Sequence, residues 1–178
     1  MYQNTEKYAL TNCTLLDGTE QMQPRTGMSV CIDGTRIAQV VAGNASAGWR
    51  TIDLGGAYVM PGLINLHVHL PASGKPKKKA SDPKKLVKLI TSNGLMRRIG
   101  VKMCEGYAKT ELLSGVTTIR TVGGVADFDT TIRDLSAAGK ILAPRIAASD
   151  MAVSVPGGHM AGSLAYEAKT PEEAAAYV

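Results

Sequence analysis

The first sixty residues carry short apolar segments separated by turn residues. One apolar segment covers residues 8–16, and a second one, in which apolar and other residues alternate, leads to Asp33-Gly34. Such alternation is typical of strands with one buried face. Because an Asp-Gly pair supplies the positive φ angles of a type I′ turn, we expect a hairpin whose return strand begins at Arg36. Residues 1–57 are therefore predicted to form a small β-sandwich segment.

After this region the spacing of the hydrophobic residues changes, and helical segments appear between the strands. Strands are predicted at 59–70, 116–121 and 145–148, with helical segments from the mid-80s through Ser114 and at 126–138. Strands that alternate with helices indicate βαβ units and a parallel sheet. The predicted fold class is therefore α/β.

Capping residues support the helix assignments. Ser81 or Asp82 can cap a helix that begins at Pro83, and Asn93-Gly94 predicts a break between two helices. Gly115 and Gly139 are expected at C′ positions, where they end helices. A capping box in Thr170-Pro171-Glu172-Glu173 predicts the start of another helix.

The chain stops at Val178, in the middle of an Ala-rich helical pattern. A parallel sheet of about three strands would present an apolar edge, which is an unusual end point for a domain. We therefore expect the chain to be truncated.

Composition narrows the class of protein. The chain has 44% hydrophobic and 20% charged residues, and its net charge of +5 is concentrated in the lysines of one stretch, residues 75–88. This lysine stretch has no interleaved aromatic residues for base stacking, so a solvated loop is favoured over a nucleic-acid interface. Three widely spaced cysteines indicate buried, inert thiols. Neither a signal peptide nor a membrane span is indicated, so a cytoplasmic location is expected.

The most specific chemical feature is the pair His67 and His69. Alternate side chains of a strand share one face, so the two imidazoles should point the same way, while Leu66, Val68 and Leu70 point into the opposite layer. Two imidazoles on a rigid strand can bind one metal ion such as Zn²⁺.

Three stretches together resemble the amidohydrolase superfamily, and most closely its imidazolonepropionase-like and Xaa-Pro dipeptidase (prolidase-like) branch. They are Gly55-Gly56 followed by Pro61-Gly62-Leu63-Ile64-Asn65-Leu66-His67-Val68-His69, then 113–124, then Ala143-Pro144-Arg145 and on to Pro156-Gly157-Gly158-His159. The resemblance covers most of the chain.

The resemblance implies the N-terminal part of a (β/α)₈ TIM barrel, about three β/α units within residues 58–178. It also implies that residues 1–57 belong to a composite β-sandwich. His67 and His69 match the family's first two ligands for one or two divalent metal ions, most simply Zn²⁺. The remaining ligands and the general base would follow Val178. The substrates implied are small amides, dipeptides or cyclic amides, and this chain alone is expected to bind metal weakly and to have no turnover.

His159 follows Gly157-Gly158 and matches a position near the substrate in that branch, although an ordinary loop histidine fits equally well. The lysines of the loop after the first barrel strand could attract a carboxylate-bearing substrate. Two positions depart from the branch: Asn65 and Thr121 stand where many relatives have Asp.

Two other interpretations compete with an enzyme. The chain could be non-catalytic, either a truncated or decayed chain or a subunit that assembles with a separate C-terminal piece. Its possible partners are such a C-terminal complement or further copies of itself in a homo-oligomer. A nucleic-acid-binding module would rest on the lysines alone and is not favoured.

Overall fold

The computed structural model describes residues 6–74 and 83–178. They form two compact units, which meet in sequence at Pro61 and Gly62. Each unit is described by itself.

The first unit is a five-stranded sheet. Its strands are β1 (Lys7–Leu15), β2 (Arg25–Asp33), β3 (Arg36–Ala42), β4 (Arg50–Asp53) and β5 (Tyr58–Val59). The order is β3-β2-β1-β4, with β5 also paired to β1; β1, β2 and β3 are antiparallel neighbours, whereas β4 and β5 run parallel to β1. A small core forms where Cys13 and Leu15 of β1 pack against Met28 and Val30 of β2.

The hairpin between β2 and β3 is present, but its turn differs from the prediction. Asp33 is the last strand residue and pairs with Arg36, so the two-residue loop is Gly34-Thr35. Of these, only Gly34 has a positive φ, at 60°. A type I′ turn needs positive φ at both central residues, so the predicted Asp-Gly type I′ turn is wrong, and glycine in first place is instead typical of type II′.

The second unit confirms the predicted alternation of strands and helices. Its three-stranded parallel sheet has the order β6-β7-β8, with two helices between the first pair of strands and one between the second. The elements are β6 (Leu63–Val68), α1 (Pro83–Ile90), α2 (Gly94–Leu113), β7 (Val116–Thr121), α3 (Phe128–Ala137), β8 (Arg145–Ala147), β9 (Ala152–Ser154), β10 (Ala165–Glu167) and α4 (Pro171–Ala176). No helix in the described ranges is both long enough and apolar enough to cross a membrane.

The core of this unit lies between the parallel sheet and its helices. Leu70, Ile119, Phe128 and Ile132 are essentially fully buried there. Gly100 allows α2 to approach α3, because a Cβ at this position would lie 2.6 Å from Cε2 of Phe128. A helical glycine, which normally weakens a helix, thus serves the packing here.

The three thiols, Cys13, Cys31 and Cys104, are buried and free, as predicted. Burial raises the pKa of Cys104 to about 12, with a further increase from the charge of Asp129. A thiol so rarely ionised is a poor nucleophile and a poor metal ligand.

Helix ends largely follow the sequence signals. The break at Asn93-Gly94 is confirmed, since the Asn93 side chain accepts hydrogen bonds from Leu95 and Met96 at the start of α2. Gly115 and Gly139 follow the C-caps with φ of 95° and 67°. The predicted caps Ser81 and Asp82 lie outside the described residues.

The start of α4 forms a modified capping box. The Thr170 hydroxyl accepts from the Glu173 N–H as expected, but the Glu173 carboxylate accepts from Lys169 instead of from the N-cap residue itself. The capping is therefore shifted by one residue from the standard pattern.

Candidate metal centre

His67 and His69 lie at the carboxyl end of β6. The predicted strand 59–70 was too long: β6 ends at Val68, so His69 is the first residue of the following loop. Both imidazoles are exposed, and their ring centres are 5.2 Å apart. The expectation that they lie on one side of the chain therefore agrees with their observed proximity.

The opposite layer is only partly as expected. Val68 and Leu70 are buried in the helix-facing core, whereas Leu66 is 60% exposed. Ile64 in the first half of β6 is exposed as well, so the direction predicted for the Leu66 side chain stays a prediction.

A hydrogen bond fixes the orientation of the His69 ring. Its Nδ1 lies 2.8 Å from the carbonyl oxygen of Gly123, in the loop after β7. A carbonyl can only accept, so Nδ1 must carry the proton, and in the neutral ring the lone pair is then on Nε2. The chain comes close because residue 123 is glycine with φ of 139°; a Cβ there would lie 3.4 Å from the ring. His69 is thus held in the tautomer that a metal ligand needs.

The backbone before His69 is irregular and is held by side chains. The pairing of β6 with β7 shifts register between Asn65 and Val68. The Asn65 side-chain oxygen accepts from the His67 N–H at 3.2 Å, and Arg120 Nε donates to the Leu66 carbonyl at 2.9 Å. These two bonds replace regular ladder bonds at the bulge and so stabilise the segment that carries the two histidines.

The pair fits one metal ion. Two imidazoles that each bind a tetrahedral ion through one nitrogen, at about 2.0–2.1 Å, place their ring centres about 5 Å apart, which matches the observed separation. Within the described residues, no group of three or more His, Cys, Asp or Glu side chains is arranged to hold a metal. The chain thus offers two nitrogen donors of the three or more that such sites use.

A buried carboxyl group lies near His69. The sequence did not predict it. Asp129, in the first turn of α3, is fully buried, and neither of its carboxylate oxygens has a hydrogen-bond partner among the described residues. It occupies the space a side chain at residue 124 would take, because a Cβ on Gly124 would lie 2.6–2.9 Å from the carboxyl atoms.

The pKa of Asp129 is raised to about 6, chiefly by burial. The nearby Thr121 hydroxyl lowers it, the charge of Asp150 raises it, and the His69 imidazole lowers it. The pKa of this carboxyl group, which lies beside the candidate metal ligand His69, is therefore close to neutral pH.

Thr121 has a structural role at the end of β7. It is 1% exposed, and its hydroxyl accepts from the Ser149 N–H at 3.1 Å, which ties β7 to the segment after β8. Thr121 stands where many relatives have Asp, and the buried carboxyl group near this position belongs instead to Asp129 of α3.

His159 is brought to the same end of the sheet as His69, since both line one cavity of about 430 Å³. A second cavity of about 310 Å³ is lined by His67 and His69 together with the polar residues Tyr107, Thr110 and Glu111 of α2. Of the lysine stretch, residues 75–79 lie outside the described residues, and Lys85 and Lys88 are exposed on α1.

Comparisons with known proteins show what the chain is similar to. The model of the amidohydrolase family matches residues 58–177. An imidazolonepropionase of Vibrio vulnificus is 41% identical over 68 residues, which is 36% of this chain and 17% of that protein.

Among solved structures, a Bifidobacterium longum protein assigned as a prolidase is 32% identical, with a TM-score of 0.71. The match covers 95% of this chain and 36% of that one. A Xaa-Pro dipeptidase with methionine bound in its active site is 26% identical, with a TM-score of 0.70, and the match covers 95% of this chain and 40% of that one. The chain therefore spans little more than a third of these proteins.

Proposed function

Because the chain belongs to the amidohydrolase family, we propose that His67 and His69 are two ligands of a divalent metal, most simply Zn²⁺, in a hydrolase of small amides, dipeptides or cyclic amides. The observation that carries the proposal is that the two rings lie 5.2 Å apart while Nδ1 of His69 is bonded to the Gly123 carbonyl, which leaves Nε2 as the nitrogen of His69 that can bind a metal.

We place this site in a barrel. Residues 58–178 would form the first three β/α units of a (β/α)₈ barrel, and residues 1–57 part of a composite sandwich. Support comes from the parallel order β6-β7-β8 with intervening helices and from the likeness to the prolidase structures. In such barrels the active site lies at the carboxyl ends of the strands, which is where His67 and His69 stand.

The residues of this chain would act by holding the metal ion and by orienting its ligands. When bound, a divalent ion polarises the scissile carbonyl and makes water acidic enough to supply hydroxide near neutral pH. His67 and His69 would hold that ion, while Gly123 and Asn65 fix the ring and backbone positions through the bonds described above. His159, on the rim of the larger cavity, would donate to a carbonyl or carboxylate of the substrate.

The overall reaction consumes one water. Its oxygen forms a new bond to the carbonyl carbon, the C–N bond breaks, and the amine nitrogen leaves with a proton. No described residue of this chain is placed as the general base or as a third ligand, so we assign both to further sequence of the complete protein. If no such sequence exists, the chain would instead be a non-catalytic product or a subunit.

The test compares the protein made by its native source with this 178-residue chain. We expect the former to hydrolyse dipeptides or cyclic amides, to lose activity with a chelator and to regain it with Zn²⁺, while the chain alone shows no turnover. In the active protein, His67→Asn or His69→Asn should reduce kcat and metal content together. The matched variant His159→Asn should keep the metal and raise KM. Full activity without metal, or in the His67→Asn/His69→Asn double variant, would overturn the proposal.

A further inference from the structure

The larger cavity has a composition that constrains what it can bind. It lies at the carboxyl ends of β6 and β7 and is closed by α1, α2 and the segment 152–165. Its volume of about 430 Å³ falls within the range of about 300–1,000 Å³ that is typical of small-molecule sites. The cavity is therefore large enough for part of a substrate.

Its walls are mostly apolar. Most of the surface is contributed by aliphatic and thioether side chains, among them Leu86, Val87, Ile90, Met103, Met160 and Leu164. Among the described residues, no Asp, Glu, Lys or Arg lines it, and its only imidazoles are His69 and His159. These described side chains offer a charged group no ionic partner to offset its lost hydration, which strongly disfavours the binding of such a group against them.

The cavity begins at the candidate metal ligand. His69 lines both the apolar cavity and the smaller, more polar one, so it stands between two sites of different character. A molecule whose amide lies at the histidine pair therefore has one apolar space and one polar space within reach.

We propose that the apolar cavity binds an uncharged aliphatic side chain on the substrate, next to the scissile amide, and so selects amides that carry a branched aliphatic group. This inference rests on the proposed function for the identity of the reacting amide, but the binding itself requires no metal. Burial of a leucine-sized side chain provides enough free energy to raise affinity by tenfold or more over a substrate that lacks it.

Binding can be followed directly by NMR of ¹³C-methyl-labelled methionine in the chain without metal. Met103 and Met160 line the cavity, whereas Met28 is buried in the sheet of the first unit and provides an internal control. Three neutral or charged probes are compared: N-acetyl-L-leucinamide, N-acetylglycinamide and N-acetyl-L-aspartamide with its free side-chain carboxylate.

We expect the leucine probe to shift the methyl signals of Met103 and Met160 saturably and to leave Met28 unchanged. The glycine and aspartate probes should bind at least about tenfold more weakly. Equal affinity for all three probes, tighter binding of the aspartate probe, or no saturable shift at Met103 and Met160 would overturn the inference.

A variant that fills the cavity provides a second test. Ala152 lines the cavity, whereas Val153, the next residue of β9, does not. Ala152→Leu should abolish the response to the leucine probe, and the matched variant Val153→Leu should retain it. An unchanged Met28 signal shows that the first unit is intact, and retained far-ultraviolet dichroism shows that the variant is folded.

The two proposals fail separately. If the leucine probe binds but zinc does not bind His67 and His69, the cavity assignment holds and the metal-dependent function is wrong. If zinc binds the pair but the probes show no preference, the metal site stands and the aliphatic selectivity is wrong.

Discussion

At the residue scale, hydrogen bonds determine how the two histidines can act. The sequence predicted His67 and His69 as a pair because their spacing in a strand puts them on one side. It could not show which nitrogen of His69 is free, since that depends on a carbonyl at Gly123, 54 residues away in the chain. Spacing predicts which residues can meet, whereas long-range contacts decide their protonation.

Asp129 shows what sequence reasoning misses. An acidic residue in the first turn of a helix is ordinarily a solvated partner of the helix dipole, so Asp129 gave no signal. Its burial follows from tertiary packing around Gly124 and Thr121.

The raised pKa of Asp129 predicts a pH-dependent stability. The folded state binds this proton more tightly than the unfolded state, because the pKa rises from 3.8 to about 6. Its stabilising contribution is present below about pH 4 and is lost as the pH rises through about 6, which costs about 3 kcal/mol at neutral pH.

We therefore expect Asp129→Asn to be stabilised, relative to the native chain, by about 2–3 kcal/mol more at about pH 7.5 than at about pH 4. Urea unfolding in the presence of a chelator measures this difference. Asp134→Asn, an exposed position on the same helix, should change little between the two pH values. An identical pH dependence in the native chain and Asp129→Asn would contradict the burial of a titrating carboxyl.

At the element scale, local signals predicted helices better than they predicted strands. The Asn93 cap and Gly115 mark the ends of α2 because they act on neighbouring backbone groups. The bulge between Asn65 and Val68 shortened the first predicted barrel strand, since it depends on pairing with β7 and on Arg120. The register of a strand depends on the strand with which it pairs, so it is hard to predict from the sequence of one segment.

Two glycines of α2 predict opposite effects of one substitution. Gly106 has nothing within 4 Å of a built Cβ, so Gly106→Ala should raise the free energy of unfolding by about 0.5–1 kcal/mol. Gly100→Ala should lower it by about 1–3 kcal/mol, because the new methyl overlaps the Phe128 ring.

Denaturant unfolding of both variants tests the packing of α2 on α3. In a double-mutant cycle, Phe128→Leu should cost less in the Gly100→Ala background than alone, since it relieves the overlap. A Gly100→Ala variant as stable as Gly106→Ala would show that α2 does not approach α3 as described.

At the scale of the whole molecule, the second unit exposes apolar surface on the first strand of its parallel sheet. Ile64 and Leu66 of β6 are more than half exposed, and β6 and β8 each form an edge of the parallel sheet. The alternating pattern predicted the parallel sheet and its helices. It did not predict that the first half of β6 is exposed, because exposure depends on which other segments pack on a strand.

We expect the isolated chain to self-associate through this surface as its concentration rises, since exposed apolar strands at a sheet edge promote pairing. Sedimentation velocity measures the effect. Ile64→Lys/Leu66→Lys should shift the chain toward monomer, whereas Ile37→Lys, which changes an exposed residue of β3 in the first unit, should not. A monomeric native chain at all concentrations would contradict this expectation.

The central claim is that His67 and His69 bind one metal ion together. The most direct measurement is a zinc titration followed in long-range ¹H–¹⁵N spectra of the imidazoles, which are simple because the chain has only three histidines. The account predicts that His67 and His69 respond with the same saturation, that the Nε2 signal of His69 moves while Nδ1 keeps its proton, and that His67→Asn abolishes the response of His69. Independent titration of the two rings, or a proton on Nε2 of His69 in the metal-free chain, would contradict it.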